Sequence, residues 1–489
     1  MKKNILYIFF GLSLLLTACY SMEDPDFKEL TPISITAESD VINIPIGQRL
    51  VYDRLVVKSD LPVTYQWAYG PKKTTGVVNE YDMQTMTIIS DEPEINHTFT
   101  KLGTYILRLR LDNGESVEYK FFTLNVNSGL DEGLCILAND ESGKGSLVFI
   151  KKLTEEEEAE DAKELWPNVF ATINPDFPLD NLTDAFMSVY KESASLLIAT
   201  NDDRGTIYKL EPKTFELIST VRMKDEFGTY CAGFTGEESG SAAYYTLIRG
   251  ADKGTYRYDL NGDFLAKRED ASALGEVDYN SDLIYTSSST STSPNRKALL
   301  YNETTLFQPG NGKVSSQSLA DYRIINVGTK RDKNYVYVLF QSMQDPTQYA
   351  IRRTSGTLGN FNSSDKKDFT TETLNMDQNS IVVNTWNSSD VYYTYNNKVW
   401  RWGLNIEPPT DPTLSIDEGE IICAMGTNFM GDYGDRGTTD ETLLYVASYN
   451  EATKKGSLYI FDIKTQTLVE KYQDVCDRPV KLLYKYRIS

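Results

Sequence analysis

A pattern that recurs along most of this 489-residue chain restricts the folds open to it more than any other feature. The unit is an apolar strand, a polar turn ending in Gly, and a second strand that begins Gly-Thr or Gly-Ser and ends near an acid. Gly145-Ser146-Leu147-Val148-Phe149 is one copy, and Gly205-Thr206-Ile207-Tyr208-Lys209-Leu210-Glu211 is another. Gly254-Thr255-Tyr256-Arg257-Tyr258-Asp259 and Gly456-Ser457-Leu458-Tyr459-Ile460-Phe461-Asp462 repeat it closely. Weaker copies start near Lys297, Gln348 and Lys398. Starts at 145, 205, 254, 297, 348, 398 and 456 are separated by 60, 49, 43, 51, 50 and 58 residues. A period of about fifty residues with four strands per unit predicts a β-propeller, because a helical solenoid would need amphipathic helices. The starts predict seven blades over residues 130–489.

The two ends of this region predict how the ring closes. In the second unit the four strands read Ala185–Tyr190, Ser195–Thr200, Gly205–Glu211 and Phe215–Val221. The first unit begins directly with its second strand, Gly133-Leu134-Cys135-Ile136-Leu137, while Val480-Lys481-Leu482-Leu483-Tyr484-Lys485-Tyr486 is an orphan strand at the end of the chain. Placing that tail as the inner strand of the first blade closes the ring and leaves no frayed edge. Two insertions break the rhythm. Thr154–Leu165 is strongly acidic and reads as a short helix with Thr154 as N-cap and Glu157 at the capping-box position. Thr427–Glu441 is rich in Gly and Asp and reads as a loop; its clustered oxygens at Asp432, Asp435 and Asp440 could hold a Ca²⁺ ion, although their spacing matches no defined calcium loop.

Ahead of the repeats, residues 31–128 read as a separate all-β module. Alternating runs at Val41–Ile46, Leu50–Val57, Thr64–Ala68, Met86–Ile89, Tyr105–Leu111 and Tyr119–Val126 are divided by turn residues such as Asp112-Asn113-Gly114. This is the size and strand density of an immunoglobulin-like sandwich, with Trp67 expected in its core. The stretch His97-Thr98-Phe99-Thr100-Lys101-Leu102-Gly103-Thr104-Tyr105 continues into Ile106-Leu107-Arg108-Leu109. It resembles the end of a polycystic-kidney-disease (PKD) domain, in which a turn Gly separates two strands and the Tyr packs inward. The Trp-x-Phe-Gly-Asp stretch of that family is replaced here by Trp67-Ala68-Tyr69-Gly70.

The first residues predict an address. Lys2 and Lys3 precede an apolar run from Ile5 to Leu16 that is too short to span a bilayer, followed by Leu16-Thr17-Ala18-Cys19. That is the arrangement of a bacterial lipobox: residues 1–18 are a signal peptide, and Cys19 is lipidated and becomes the mature N-terminus on a membrane. Residues 19–30 form an acidic tether.

Composition narrows the chemistry. Acidic residues number 70 against 49 basic ones, a net charge of −21 that disfavours nucleic acid. The one histidine, His97, falls in the sandwich, which removes Ser-His-Asp and Cys-His catalysis and histidine metal sites from the propeller. Cys135, Cys231, Cys423 and Cys476 are widely spaced, without a CxxC, and read as buried small hydrophobes. No phosphate-binding or nucleophile-elbow motif occurs, and no cofactor or metal site is expected. Carboxylate-pair hydrolysis needs only two suitably spaced acids and stays open as an alternative. Binding is the main expectation, on the loops between blades. Trp386 and Trp166 are the candidate ligand-stacking aromatics; Trp400 and Trp402 alternate on one strand face and point to blade packing.

Lipobox, acidic tether, PKD-like module and C-terminal propeller together resemble the PKD-like surface lipoproteins of Bacteroidota. The resemblance implies a place on the outer face of the outer membrane, beside a SusC-type TonB-dependent transporter and its SusD-type lipoprotein. It implies a non-catalytic accessory role in uptake of oligosaccharide or peptide. A protein-only scaffold is the second reading.

Overall fold

The structure is a computed structural model. It describes residues 29–486 apart from 53, 73–84, 128, 156–157, 159–163, 191–192, 240–243, 269–275, 281–283, 287–294, 298, 311–312, 331–334, 356–360, 362–365, 373, 386–389, 404–406 and 430–440. Cys19, Trp386, Asp432, Asp435, Asp440 and most of the acidic insertion lie outside the described residues. The chain is all-β and divides into two compact units, Met1–Asn127 and Ser128–Ser489.

In the first unit a five-stranded sheet runs in the order Val41–Pro45, Val117–Asn127, Gly103–Asp112, Thr64–Pro71, Thr87–Ser90, with the first pair parallel. Two-stranded ladders pair Ser34–Ala37 with Leu55–Lys58 and Arg49–Tyr52 with Ile95–Thr98. The single run expected over Leu50–Val57 is therefore two strands with different partners. Alternation sets the core: Leu107, Leu109 and Leu111 are fully buried while Arg108 and Arg110 point to the opposite face. Trp67 is 0% exposed, stacks on Phe122 at 6.1 Å, and donates its indole N–H to the Glu92 carbonyl at 3.1 Å. His97 packs among Tyr69 and Phe99, and burial lowers its pKa.

The second unit is a β-propeller built of antiparallel meanders. Leu182–Tyr190, Ser193–Thr200, Thr206–Leu210 and Leu217–Arg222 form one sheet, close to the strands expected from the sequence. Similar sheets are Cys231–Ser239 to Phe264–Lys267, Tyr322–Lys330 to Lys366–Thr370, and Glu420–Thr427 to Leu468–Cys476. Three strands from Val382–Asn384 to Lys398–Gly403 make a further one. Buried clusters join neighbouring sheets face to face: Ile207 with Phe234 and Ile248, Ile351 with Trp400 and Trp402, and Val399 with Val446.

One repeat is out of phase with the sequence reading. In the sheet that contains Tyr279–Asn280, the third strand is Thr305–Gly310, and Leu300–Tyr301 is the second. The hairpin there is turned by Asn302, whose Oδ1 accepts from the amides of Thr304 (3.1 Å) and Thr305 (2.8 Å), so no Gly marks it. Elsewhere the repeat's Gly has a steric cause. A Cβ on Gly456 would lie 2.4 Å from the Asp477 carbonyl, and one on Gly145 would lie 2.7 Å from the Leu182 side chain. At both places the chain entering the next sheet crosses directly over the strand.

The ring closes as the chain ends predict. Arg478–Lys485 pairs antiparallel with Gly133–Asn139, aligning Lys485 with Gly133 and Leu482 with Ile136. Leu134, Ile136 and Val148 from the first sheet then share a core with Ala424, Ala447 and Leu458 from the last. Lys485, 0% exposed, locks the end of the closing strand. Its ammonium donates to the carbonyls of Leu130 and Asp131 and lies 5.6 Å from the ring centres of both Phe149 and Phe215.

Candidate functional site

Closing the ring brings the start and end of the second unit side by side, and a cleft of about 770 Å³ opens between them. One wall comes from the turn Asp140–Ser146 with Leu165, Pro167 and Asn168; the other comes from Lys455 and Lys471–Asp477. Both walls are rigid for local reasons. Asp140 Oδ1 accepts from the Ser142 amide (2.8 Å), the Ser142 hydroxyl (2.7 Å) and the Lys144 amide (2.9 Å). These bonds hold its carboxyl below the usual carboxylate range, the Ser142 hydroxyl being the largest cause. Asn168 caps the helix Val169–Ile173 by accepting from the Ala171 amide.

On the opposite wall the cations are all engaged. Lys471 donates to Asp417 at 2.5 Å and sits 4.9 Å from the Tyr459 ring centre; Lys455 pairs with Asp477 at 2.8 Å. The Lys455 pKa is raised, chiefly by its hydrogen bond to Asp477. The Tyr472 hydroxyl donates to Glu164 Oε1 at 2.7 Å, a bond between residues 308 positions apart. Burial, and then that carboxylate, push the Tyr472 hydroxyl pKa well up.

Charge in the cleft is balanced: Lys144, Lys455 and Lys471 face Asp140, Asp474 and Asp477. Such a lining offers donors and acceptors in near-equal number and suits a polar ligand that is close to neutral. Cys476, which also lines it, has its thiol pushed up to about 12 by burial and stays protonated. Among the described residues no group of three His, Cys, Asp or Glu side chains is placed to hold a metal ion.

The sequence candidates fall differently. Trp166 stands between two cleft residues, Leu165 and Pro167, but its own side chain is 2% exposed and its strand pairs with Phe149–Ile150. It packs in the core and presents no face for stacking, because strand alternation turns it away from the side that Leu165 shows. Trp386 lies outside the described residues. Trp400 and Trp402 are buried between sheets, as their alternation indicates. Lys471–Asp477 had no sequence signal as a site; they line one only because the last sheet comes to rest against the first.

Among solved structures the chain is similar to a quinonprotein alcohol dehydrogenase-like protein from Bacteroides thetaiotaomicron. Identity is 12%, coverage is 94% of this chain and 100% of that one, and the TM-score is 0.50. A DUF4784 family protein from Bacteroides caccae matches at 8% identity over 94% of this chain and 100% of that one, with a TM-score of 0.28. The Cps50 (Swd1) β-propeller domain of Myceliophteria thermophila matches at 8% identity over 60% of this chain and 86% of that one, with a TM-score of 0.36. No protein-family model and no curated protein matches the chain. At such identities the first likeness speaks for the fold alone.

Proposed function

We propose that the chain is a lipid-anchored protein of the outer-membrane surface that binds rather than transforms its ligand. In this reading it serves as an accessory subunit of a SusCD-type, TonB-dependent uptake complex for glycan or peptide. Cys19 carries the lipid, the first unit is a PKD/Ig-like sandwich, and the second is a seven-bladed propeller. The observation that carries the binding role is the charge-balanced cleft at the closing seam, built from firmly hydrogen-bonded walls. A polar, preorganised groove of this volume suits an oligosaccharide or an extended peptide. The N-terminal sequence supports the address, and the domain order supports the uptake complex.

The test is a native pull-down of the lipidated protein, extracted from its own outer membrane in detergent, with mass spectrometry of the co-purifying chains. A transporter and a lid lipoprotein in near-equal amounts are expected; a protein that purifies alone overturns the accessory role. Trp386→Ala and Asp474→Ala then separate capture from scaffolding. Loss of ligand with the assembly intact supports capture, and release of reducing ends or new amino termini from a polymer would replace binding with hydrolysis.

A further inference from the structure

The outward face of the five-stranded sheet in the first unit carries a feature that neither core packing nor the cleft accounts for. Along Val117–Asn127 the residues Phe122, Leu124 and Val126 are buried, so Val117, Tyr119, Phe121, Thr123 and Asn125 share the other face. Tyr119 is 39% and Phe121 37% exposed, with their rings nearly parallel (19°) and 6.3 Å apart. Arg110 lies across from Tyr119 and Arg108 across from Phe121 on the neighbouring strand. The Arg108 guanidinium sits 5.9 Å from the Tyr119 ring centre and donates to Gln66 Oε1 at 2.9 Å. Arg108 is only 7% exposed, yet its Nε–H has no acceptor among the described residues. A buried guanidinium N–H without a protein partner is costly, and a water or a ligand at this face would complete it.

The charge on this face runs against that of the chain. Among the described residues, Lys72, whose ammonium reaches Thr123 at 3.1 Å, joins Arg108 and Arg110 there, with Asp112 bonded to Arg110 at 2.6 Å, on a chain of net charge −21. Aromatic faces stack on the C–H faces of sugar rings, and a guanidinium matches a carboxylate in two parallel bonds. We propose that this face is a binding platform for an anionic saccharide of the uronic-acid class. Tyr119 and Phe121 lie under successive rings, and Arg110, backed by Arg108, takes the carboxylates. Thr123 and Asn125 extend the track along the strand, where Asn125 already bonds Asn43 at 2.9 Å. A track of exposed rings and polar side chains along one strand favours a polysaccharide over an acidic protein, whose anchors would need a pocket. The platform belongs to the first unit and stands whether or not the chain sits in an uptake complex.

The test is isothermal titration of the full chain in detergent with an oligogalacturonate and, as comparator, a neutral oligogalactose. The acidic ligand is expected to bind at least about tenfold more tightly, with affinity falling as salt is raised. Tyr119→Ala and Phe121→Ala, at exposed positions that leave the fold intact, each weaken it by roughly five- to tenfold. Arg110→Gln abolishes the preference for the acidic ligand. Equal affinity for the two ligands, or no binding of oligogalacturonate, overturns the proposal. So does unchanged binding in the Tyr119→Ala/Phe121→Ala double variant, or capture of an acidic protein in place of the saccharide.

Discussion

Lys485 makes the closure of the ring measurable as a pH dependence. The amine is fully buried at the end of the closing strand, held by two carbonyls and two aromatic rings. Burial lowers its pKa from 10.5 to about 8, while the neighbouring Cys135, Asp131, Glu132 and Glu211 pull the other way. Below about pH 8 the amine is protonated in the folded and the unfolded chain alike, and the fold carries the whole cost of burying the charge. As the pH rises from about 8 towards 10.5 the fold releases the proton while the unfolded chain keeps it. Unfolding free energy therefore rises across that window, by about 3 kcal/mol at about 1.4 kcal/mol per unit.

Buried tyrosines such as Tyr258 have raised pKa values and act in the opposite sense near and above pH 10, where the unfolded chain ionises first. The comparison that isolates the amine is wild type against Lys485→Met, by urea unfolding followed through tryptophan fluorescence at several values between about pH 7 and 10. The variant loses the bonds to Leu130 and Asp131 together with the buried charge and lacks the alkaline gain, so the stability of wild type relative to the variant rises with pH. A difference that stays flat refutes the reasoning. If the Met variant fails to fold, Lys485→Gln keeps a donor at the site and shows the same missing gain.

Two further outcomes follow from burial. Trp67→Ala should cost the first unit about 3–5 kcal/mol, which differential scanning calorimetry reads as a lowered transition for that unit; an unmoved one would contradict the burial of Trp67. Maleimide should label Cys423, which is partly exposed although burial raises its thiol too, well before Cys135, which burial pushes up to about 12, and Cys231, pushed higher still; mass mapping of labelled native protein reads the order, and equal rates would contradict the placement of these thiols.

Much of the fold is legible in the residues because propeller sheets are local. Each meander pairs strands that are close in the chain, so the strand from Leu182 to Tyr190 and its three partners could be read from alternation and turns alone. Closure was readable for a different reason: a first unit one strand short and a tail one strand long leave a single economical pairing. The phase of the repeat near Lys297 was not readable, because the Asn302 turn does with a side chain what Gly does in the other copies. The site was the least legible. Trp166 has the residue type and neighbours of a site residue, but the side of a two-residue strand that a ring faces is set by its partner, Phe149.

By itself the sequence determined the all-β class, the radial repeat, the closing strand and the near-absence of histidine chemistry, since these depend on periodicity and composition. Only the tertiary structure decided the cleft and the aromatic–arginine face. Asp140 and Asp474 reach the cleft from opposite ends of the second unit's sequence, and Arg108 meets Tyr119 only through the register of two strands. Both depend on which side chains come to lie against one another across strands, and alternation along a single strand carries no record of its neighbour's side chains.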